Sequence, residues 1–155
     1  MDQHQIFGFL LHDVTRLYKR RFEQRSAQLS LTLPQCKTLS LLARNEGISQ
    51  RQLADLADID AMSIVRILDR MEADGWVERR ADPQDRRARR LAVTAKAGPI
   101  LDQILEMGTA TRTEVLEGLN VQQRDLLVSL LERCHTNLQG LSGRGWSRPG
   151  CPFKR

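Results

Sequence analysis

The sequence predicts a mostly α-helical protein with one small β-hairpin. Apolar residues recur at helical spacing along most of the chain, which indicates amphipathic helices. Only residues 76–80 and 89–93 alternate in the manner of strands, and turn-forming residues separate them. Aromatic residues make up only 5% of the 155-residue chain, which disfavours a β-sandwich or barrel. A chain of this length can form one compact domain with its own core.

The N-terminal part is predicted to form a long helix and a shorter one. The long helix covers residues 4–29. The shorter helix begins at Thr32, because the side chains of Thr32 and Gln35 can each bond the backbone amide of the other in a capping box. It ends at Gly47, since glycine readily adopts the left-handed conformation that follows a helix.

Two further helices follow and are joined by a tight turn. Ser49 and Gln52 form a second capping box, and Asp60 caps the next helix. That helix carries an apolar stripe at helical spacing, made of Ile64, Ile67, Leu68 and Met71. Such a pair is typical of a helix-turn-helix, whose second helix can enter the major groove of DNA.

The β-hairpin after this pair is interpreted as a wing. Residues 79–90 contain six arginines and only two acidic residues, Asp82 and Asp85. Arg86 and Arg87 are expected at the tip, where guanidinium groups suit the negative potential of the minor groove. A solvated charged loop is the alternative, but the position directly after a helix-turn-helix favours contact with DNA.

Two helices are predicted to complete the chain. Thr94 is expected to cap the first of them, and Pro99 to disturb its first turns. Asn120 opens the last helix with Gln123 as its partner. The predicted organisation is a helical dimerisation region at 1–30 and 95–141, a winged helix-turn-helix at 31–94 and a disordered basic tail at 142–155.

Composition and motifs limit the classes of function that the chain can have. The formal net charge of +5 favours a polyanionic partner. There is no apolar run of the roughly 20 residues that a membrane span needs, and the N-terminus lacks the basic region of a signal peptide. Three scattered cysteines argue against a disulfide framework or a zinc site, so we expect a cytoplasmic protein. No catalytic or phosphate-loop motif is present, which predicts a non-enzyme without metal or cofactor.

The polar face of the helix after Asp60 carries the residues expected to read DNA. Arg66 can bond guanine with two hydrogen bonds, and Ser63 can meet a base edge or a phosphate. Ala61 or Met62 can touch a thymine methyl group.

Three other residues are expected near phosphates. Arg70 lies one turn beyond the reading residues, and an ion pair with Glu72 or Asp74 is its alternative role. Ser49 and Arg51 begin the preceding helix, where backbone amides and a guanidinium can hold a phosphate. A helix cap without any DNA contact is the alternative for Ser49.

These residues carry a family resemblance. The chain resembles the MarR family over residues 7–141 and is most similar to its SlyA branch. The resemblance implies a winged-helix homodimer whose first and last helices form the interface, with Arg87 in the minor groove, Arg86 beside it, and Asp85 bracing the wing arginines through a salt bridge. The segments that match are Leu68-Asp69-Arg70-Met71-Glu72, Gly75-Trp76-Val77, the wing Asp82-Pro83-Gln84-Asp85-Arg86-Arg87-Ala88, and the exit Leu91-x-Val93-Thr94.

A dimer is also expected from the residues themselves. The terminal helices are too apolar to be covered by one small winged domain, so they need a partner surface. A two-fold dimer presents two recognition helices about one DNA turn apart, which predicts a pseudo-palindromic operator. The expected function is therefore sequence-specific double-stranded DNA binding by a transcriptional regulator, with repression as the expected mode.

The resemblance also implies a small-molecule effector. MarR-like proteins often bind aromatic carboxylates between the dimer base and the DNA-binding lobe. The positions of this chain that match the effector pocket are His12, Arg16, Lys19, Cys36 and Ser40. The alternative for Arg16 and Lys19 is that they pair with Asp13 and Glu23 or are simply solvated. Cys36 replaces the large aromatic residue that the SlyA branch tends to carry.

A thiol-based redox regulator of the same fold is the second functional hypothesis. Cys36 and Cys134 lie on apolar stripes, which favours buried and inert thiols. Cys151 lies in the predicted tail. Redox-sensing relatives usually carry the reactive cysteine early on the first helix, where this chain has none.

Overall fold

The structure is a computed structural model that describes residues 3–85 and 89–141. Within these ranges the chain is mostly helical and has one two-stranded antiparallel sheet, which confirms the predicted fold class. The elements are α1 (Gln3–Ser26), α2 (Leu33–Arg44), α3 (Gln50–Ala57), α4 (Ala61–Ala73), β1 (Val77–Ala81), β2 (Arg89–Val93), α5 (Gly98–Val115) and α6 (Val121–Leu141). In the part of the chain described, none of the helices combines the length and apolar character needed to cross a bilayer.

The chain forms two compact units, divided within α5 between Thr111 and Arg112. The division predicted from the sequence concerns roles in a dimer, so the packing of one chain does not test it and it stays a prediction. The predicted tail at 142–155 lies outside the described residues.

The core of the first unit lies where α2, α3 and α4 meet the base of the hairpin. Leu39, Leu53 and Leu68 are fully buried there. Val77 and Leu91 extend this core into the two strands. Burying each leucine side chain contributes about 1.5–3 kcal/mol to folding, so these contacts fix the three helices around one centre.

Four helices begin where the sequence predicts, because their first amides find side-chain acceptors. At the start of α6, Asn120 and Gln123 each accept a hydrogen bond from the amide of the other at 2.9 Å. The Oε1 atom of Gln35 accepts a hydrogen bond from the amide of Thr32 at 2.8 Å, and Gln52 does the same for Ser49 at 2.8 Å. The Thr32 and Ser49 hydroxyls accept from the Gln35 and Gln52 amides in return. Asp60 accepts two amide hydrogen bonds at the start of α4.

The predicted start of the long C-terminal helix is wrong. The Thr94 hydroxyl donates to the carbonyl oxygen of Gly75 at 2.6 Å and caps no helix. A 3-10 turn, Ala95–Ala97, comes next, and α5 begins at Gly98. Pro99 is therefore the second residue of α5, where an amide has no partner within the helix, and it removes no backbone bond.

Backbone hydrogen bonds attach the hairpin to the helices. The strands pair from Val77 opposite Val93 to Ala81 opposite Arg89. The α2–α3 connection pairs with the outer side of β2, since Gly47 donates to the Leu91 carbonyl at 2.8 Å and Leu91 donates to the Ile48 carbonyl at 3.0 Å. The wing therefore has a fixed base next to α3.

Removing the first capping box should destabilise the protein measurably. We expect Thr32→Ala to lower the free energy of unfolding by about 1 kcal/mol, because the Gln35 amide loses its acceptor. Thr32→Ser keeps the hydroxyl and should stay close to wild type. Urea unfolding followed by circular dichroism measures both, and equal losses in the two variants would contradict the capping role.

Candidate nucleic-acid interface

The helix α4 has one buried and one exposed face. Ile64, Leu68 and Met71 are buried against the core, which leaves the opposite face open to solvent. The residues of α4 that were predicted to contact DNA lie outside the buried stripe: Ala61, Met62, Arg66 and Arg70 are exposed and Ser63 is half-buried. Sequence reasoning missed Val65, a second exposed apolar side chain on this helix beside Met62. The sequence does contain a sign of this exposed position, because Val65 is an apolar residue that falls outside the helical spacing of the buried stripe.

The basic residues of the helix-turn-helix differ in their partners. Arg66 and Arg51 are exposed, and neither has a hydrogen-bond or ion-pair partner among the described residues. Arg70 makes an ion pair with Asp74, with 3.3 Å between its Nε atom and a carboxylate oxygen. The Ser49 side chain is half-buried, and its oxygen caps α3. Arg66 and Arg51 can therefore meet an anion without first giving up a protein contact.

One arginine of the wing is tied to α4. The Nη2 atom of Arg79 lies 2.6 Å from an Asp69 carboxylate oxygen, and its Nη1 atom bonds the carboxylate of Glu72. Its side chain is only 22% exposed. Sequence reasoning counted Arg79 among the wing cations and missed this role, because its partners lie on another element. Glu72, one of the two carboxylates suggested for Arg70, is thus occupied by Arg79.

A second ionic contact holds the base of the wing. The Asp82 carboxylate lies 2.8 Å from the Nε atom of Arg90, and an Nη atom of Arg90 donates to the carbonyl of Gly47 at 2.9 Å. A hydrogen bond from the Gln84 amide and the contact with Arg90 lower the pKa of Asp82. Asp82 therefore stays ionised and braces the hairpin against the α2–α3 connection.

The predicted tip of the wing lies outside the described residues. Arg86 and Arg87 fall in the undescribed segment, so their minor-groove roles stay predictions. Asp85 is exposed at the edge of that segment, and its predicted bracing role stays a prediction too. The brace that the structure shows is the one made by Asp82 and Arg90.

Comparison with known proteins identifies this arrangement. The model of the MarR family matches residues 31–88, which run from the start of α2 into the wing. The chain is therefore similar to the MarR family over its helix-turn-helix and part of the wing. The match does not separate the SlyA branch from the others, so that finer assignment stays a prediction.

Solved structures of MarR and of another transcriptional regulator resemble the chain over most of its length. A MarR crystal structure is 27% identical, with 92% of this chain and 97% of that chain covered and a TM-score of 0.78. Transcriptional regulator PA3341 is 29% identical over 86% of this chain and 98% of its own, with a TM-score of 0.77. A mutant MarR from E. coli complexed with operator DNA is 25% identical, with 86% of this chain and 99% of that chain covered and a TM-score of 0.73.

The effector positions predicted for this chain do not line either of the two clefts described in the structure. The Arg16 guanidinium lies 2.7 Å from the carboxylate of Asp13, as its alternative role required. Lys19 and His12 are exposed on α1, and Ser40 is half-buried on α2. An effector site at these positions stays a prediction.

The cysteines give little support to a redox switch. Cys36 is 1% exposed, and burial raises the pKa of its thiol to about 11. A thiol with this pKa is protonated at neutral pH and is a poor nucleophile. Cys134 is half-buried on α6, and Cys151 lies outside the described residues. Residues that could together hold a metal ion are also lacking in the described ranges.

The two arginines of β1 offer a direct test of the wing clamp. We expect Arg79→Met to cost up to about 1 kcal/mol, because Asp69 and Glu72 lose their shared partner. Backbone amides of both strands should then exchange hydrogen about fivefold faster. The matched control is Arg80→Met, since the partner of Arg80 among the described residues is Glu78 on its own strand. Equal exchange rates in the two variants would contradict the idea that Arg79 restrains the hairpin.

Proposed function

We propose that this chain is a transcriptional regulator of the MarR family, and that it binds a pseudo-palindromic operator as a homodimer and represses transcription by occupying it. The observation that carries the proposal is the exposed face of α4, where Arg66 is accessible and unpaired among the described residues. The likeness to a MarR protein solved with operator DNA supports it. A bound dimer excludes polymerase from the DNA it covers, so repression needs no further activity.

On this proposal α4 reads bases from the major groove. Arg66 forms two hydrogen bonds to a guanine, and Ser63 bonds a base edge or phosphate. Ala61, Met62 and Val65 offer apolar surface to thymine methyl groups. These contacts supply the sequence specificity, since phosphate contacts carry none directly.

Backbone contacts fix the register of the protein on DNA. The amides at the start of α3 and the unpaired guanidinium of Arg51 hold one phosphate. Arg70 can reach another only by giving up its ion pair with Asp74. Arg86 and Arg87 place the wing in the minor groove. The site of action is then the compartment that holds the chromosome, which places the protein in the cytoplasm of a bacterial cell.

The terminal helices supply the dimer interface in this proposal. Of the 18 large apolar side chains found exposed among the described residues, 14 lie on α1 or α6. A second copy of the chain covers them, because so many apolar side chains on two helices are not left in water by a monomer. The residues on α1 are Ile6, Phe7, Phe9, Leu10, Leu11, Val14 and Leu17, and those on α6 are Val121, Leu126, Leu127, Val128, Leu130, Leu131 and Leu138.

Arg66→Ala should relax sequence discrimination. We expect the ratio of operator affinity to random-duplex affinity to fall by about 5- to 150-fold, which corresponds to the 1–3 kcal/mol of a bidentate guanine contact. Arg133→Ala removes the same charge from an exposed site on α6 and should leave the ratio unchanged. Both variants are titrated against the operator and a random duplex at one salt concentration. An equal loss on both duplexes would exclude base reading by Arg66.

The oligomeric state is tested on α1. We expect wild type to sediment as a dimer and Phe9→Glu to dissociate it, because Phe9 is 74% exposed in the single chain and becomes buried in the dimer. Gln24→Glu adds the same charge at an exposed polar position of α1 and should remain dimeric. Sedimentation equilibrium decides the mass. A folded wild-type monomer of 17.7 kDa would contradict the proposal.

A further inference from the structure

The N-terminal end of α4 carries an exposed carboxylate. Asp60 accepts the amide hydrogen bonds of Met62 and Ser63 at 3.1 and 2.9 Å, and both go to its Oδ1 atom. Hydrogen bonding by the Ser63 hydroxyl and by these amides lowers the pKa of Asp60, so the group is ionised at neutral pH. An ionised carboxylate has about four acceptor positions. Because Asp60 is exposed, it can therefore accept a further hydrogen bond from a molecule outside the protein.

The wing occupies the other end of the exposed face of α4. Asp69 and Glu72, in the C-terminal half of the helix, both bind Arg79 of β1. Arg66 precedes them and has no partner among the described residues. A duplex that meets Arg66 therefore contacts the N-terminal half of α4, where Asp60 lies. In helix-turn-helix proteins it is also the N-terminal residues of the second helix that contact base edges.

The helices α3 and α4 have caps of different charge. The neutral hydroxyl of Ser49 caps the first amides of α3, whereas the carboxylate of Asp60 caps those of α4. A phosphate can approach the start of α3, but Asp60 repels it from the start of α4. The group that meets Asp60 in a duplex must therefore be a hydrogen-bond donor. In the major groove the donors are the amino groups of cytosine and adenine.

We propose that Asp60 is a specificity-determining residue, whose carboxylate accepts a hydrogen bond from the N4 amino group of a cytosine in the operator. Cytosine fits better than adenine, because adenine places its N7 acceptor beside the amino group and that acceptor repels a carboxylate. The inference rests on the proposed function, since it adds a second base contact to the one made by Arg66.

The geometry of α4 also limits where this cytosine lies. At about 1.5 Å per residue, Asp60 precedes Arg66 by about 9 Å along the helix. Successive base pairs are about 3.4 Å apart, so the cytosine lies within about three base pairs of the guanine read by Arg66. Each half-site therefore needs the two bases at a fixed spacing.

Asp60→Asn tests the contact without removing the helix cap. Asparagine caps a helix about as well as aspartate does, but it offers an N–H donor where the carboxylate offers an acceptor. Wild type and the variant each select binding sites from a pool of random-sequence duplexes, and the Kd is then measured for single base-pair replacements. We expect wild type to prefer cytosine to thymine about tenfold at one position of the site. Asp60→Asn should lose this preference, because thymine presents an O4 acceptor there.

Two control variants separate the outcomes. Arg66→Ala should lose the preference for the nearby guanine and keep the one for cytosine, while Asp102→Asn removes the same charge from an exposed site on α5 and should keep both. An unchanged preference for cytosine in Asp60→Asn, or an equal loss of affinity on all duplexes, would overturn the inference and leave Asp60 as a helix cap alone. Failure of wild type to select any common sequence would instead count against the proposed function.

Discussion

The placement of α4 depends on the burial of one of its faces. Ile64, Leu68 and Met71 are removed from water between α2, α3 and the base of the hairpin. Because these three positions recur at helical spacing, their burial fixes the rotation of α4 about its own axis. Arg66 is then exposed as a consequence of that burial. The surface that we propose to contact DNA is therefore set by apolar contacts on the opposite side of the same helix.

The wing depends on this helix in turn. Arg79 joins β1 to α4 through Asp69 and Glu72, and Gly47 and Leu91 join the hairpin to the α2–α3 connection by backbone bonds. Two attachments to different elements restrain a hairpin that otherwise has only two strands, and an isolated hairpin of that size is marginally stable in water. Recognition helix and wing are thus held as one surface.

The arginines of this surface divide into structural and available groups. Arg79 and Arg90 form ion pairs with carboxylates of the protein, whereas Arg51 and Arg66 have no partner among the described residues. Arg70 stands between the groups, because one long ion pair holds it. Counting basic residues therefore overstates the charge that is available to bind phosphate.

Sequence alone determined the features that depend on neighbours within one turn. The capping pairs Thr32 with Gln35 and Ser49 with Gln52, the apolar stripe of α4 and the two alternating strands follow from spacings of two to four residues. The exposed position of Arg66 follows from the same stripe.

Contacts between distant segments needed the tertiary structure. Thr94 is a residue type that often caps helices, yet its hydroxyl bonds Gly75, and Arg79 pairs with carboxylates of another element. One cleft of the structure is lined by Leu29, Trp76 and Lys96, which are distant in the sequence. A polar side chain forms a hydrogen bond or ion pair with a group that folding brings within about 3 Å. The spacing of residues in the sequence does not reveal which distant group this will be.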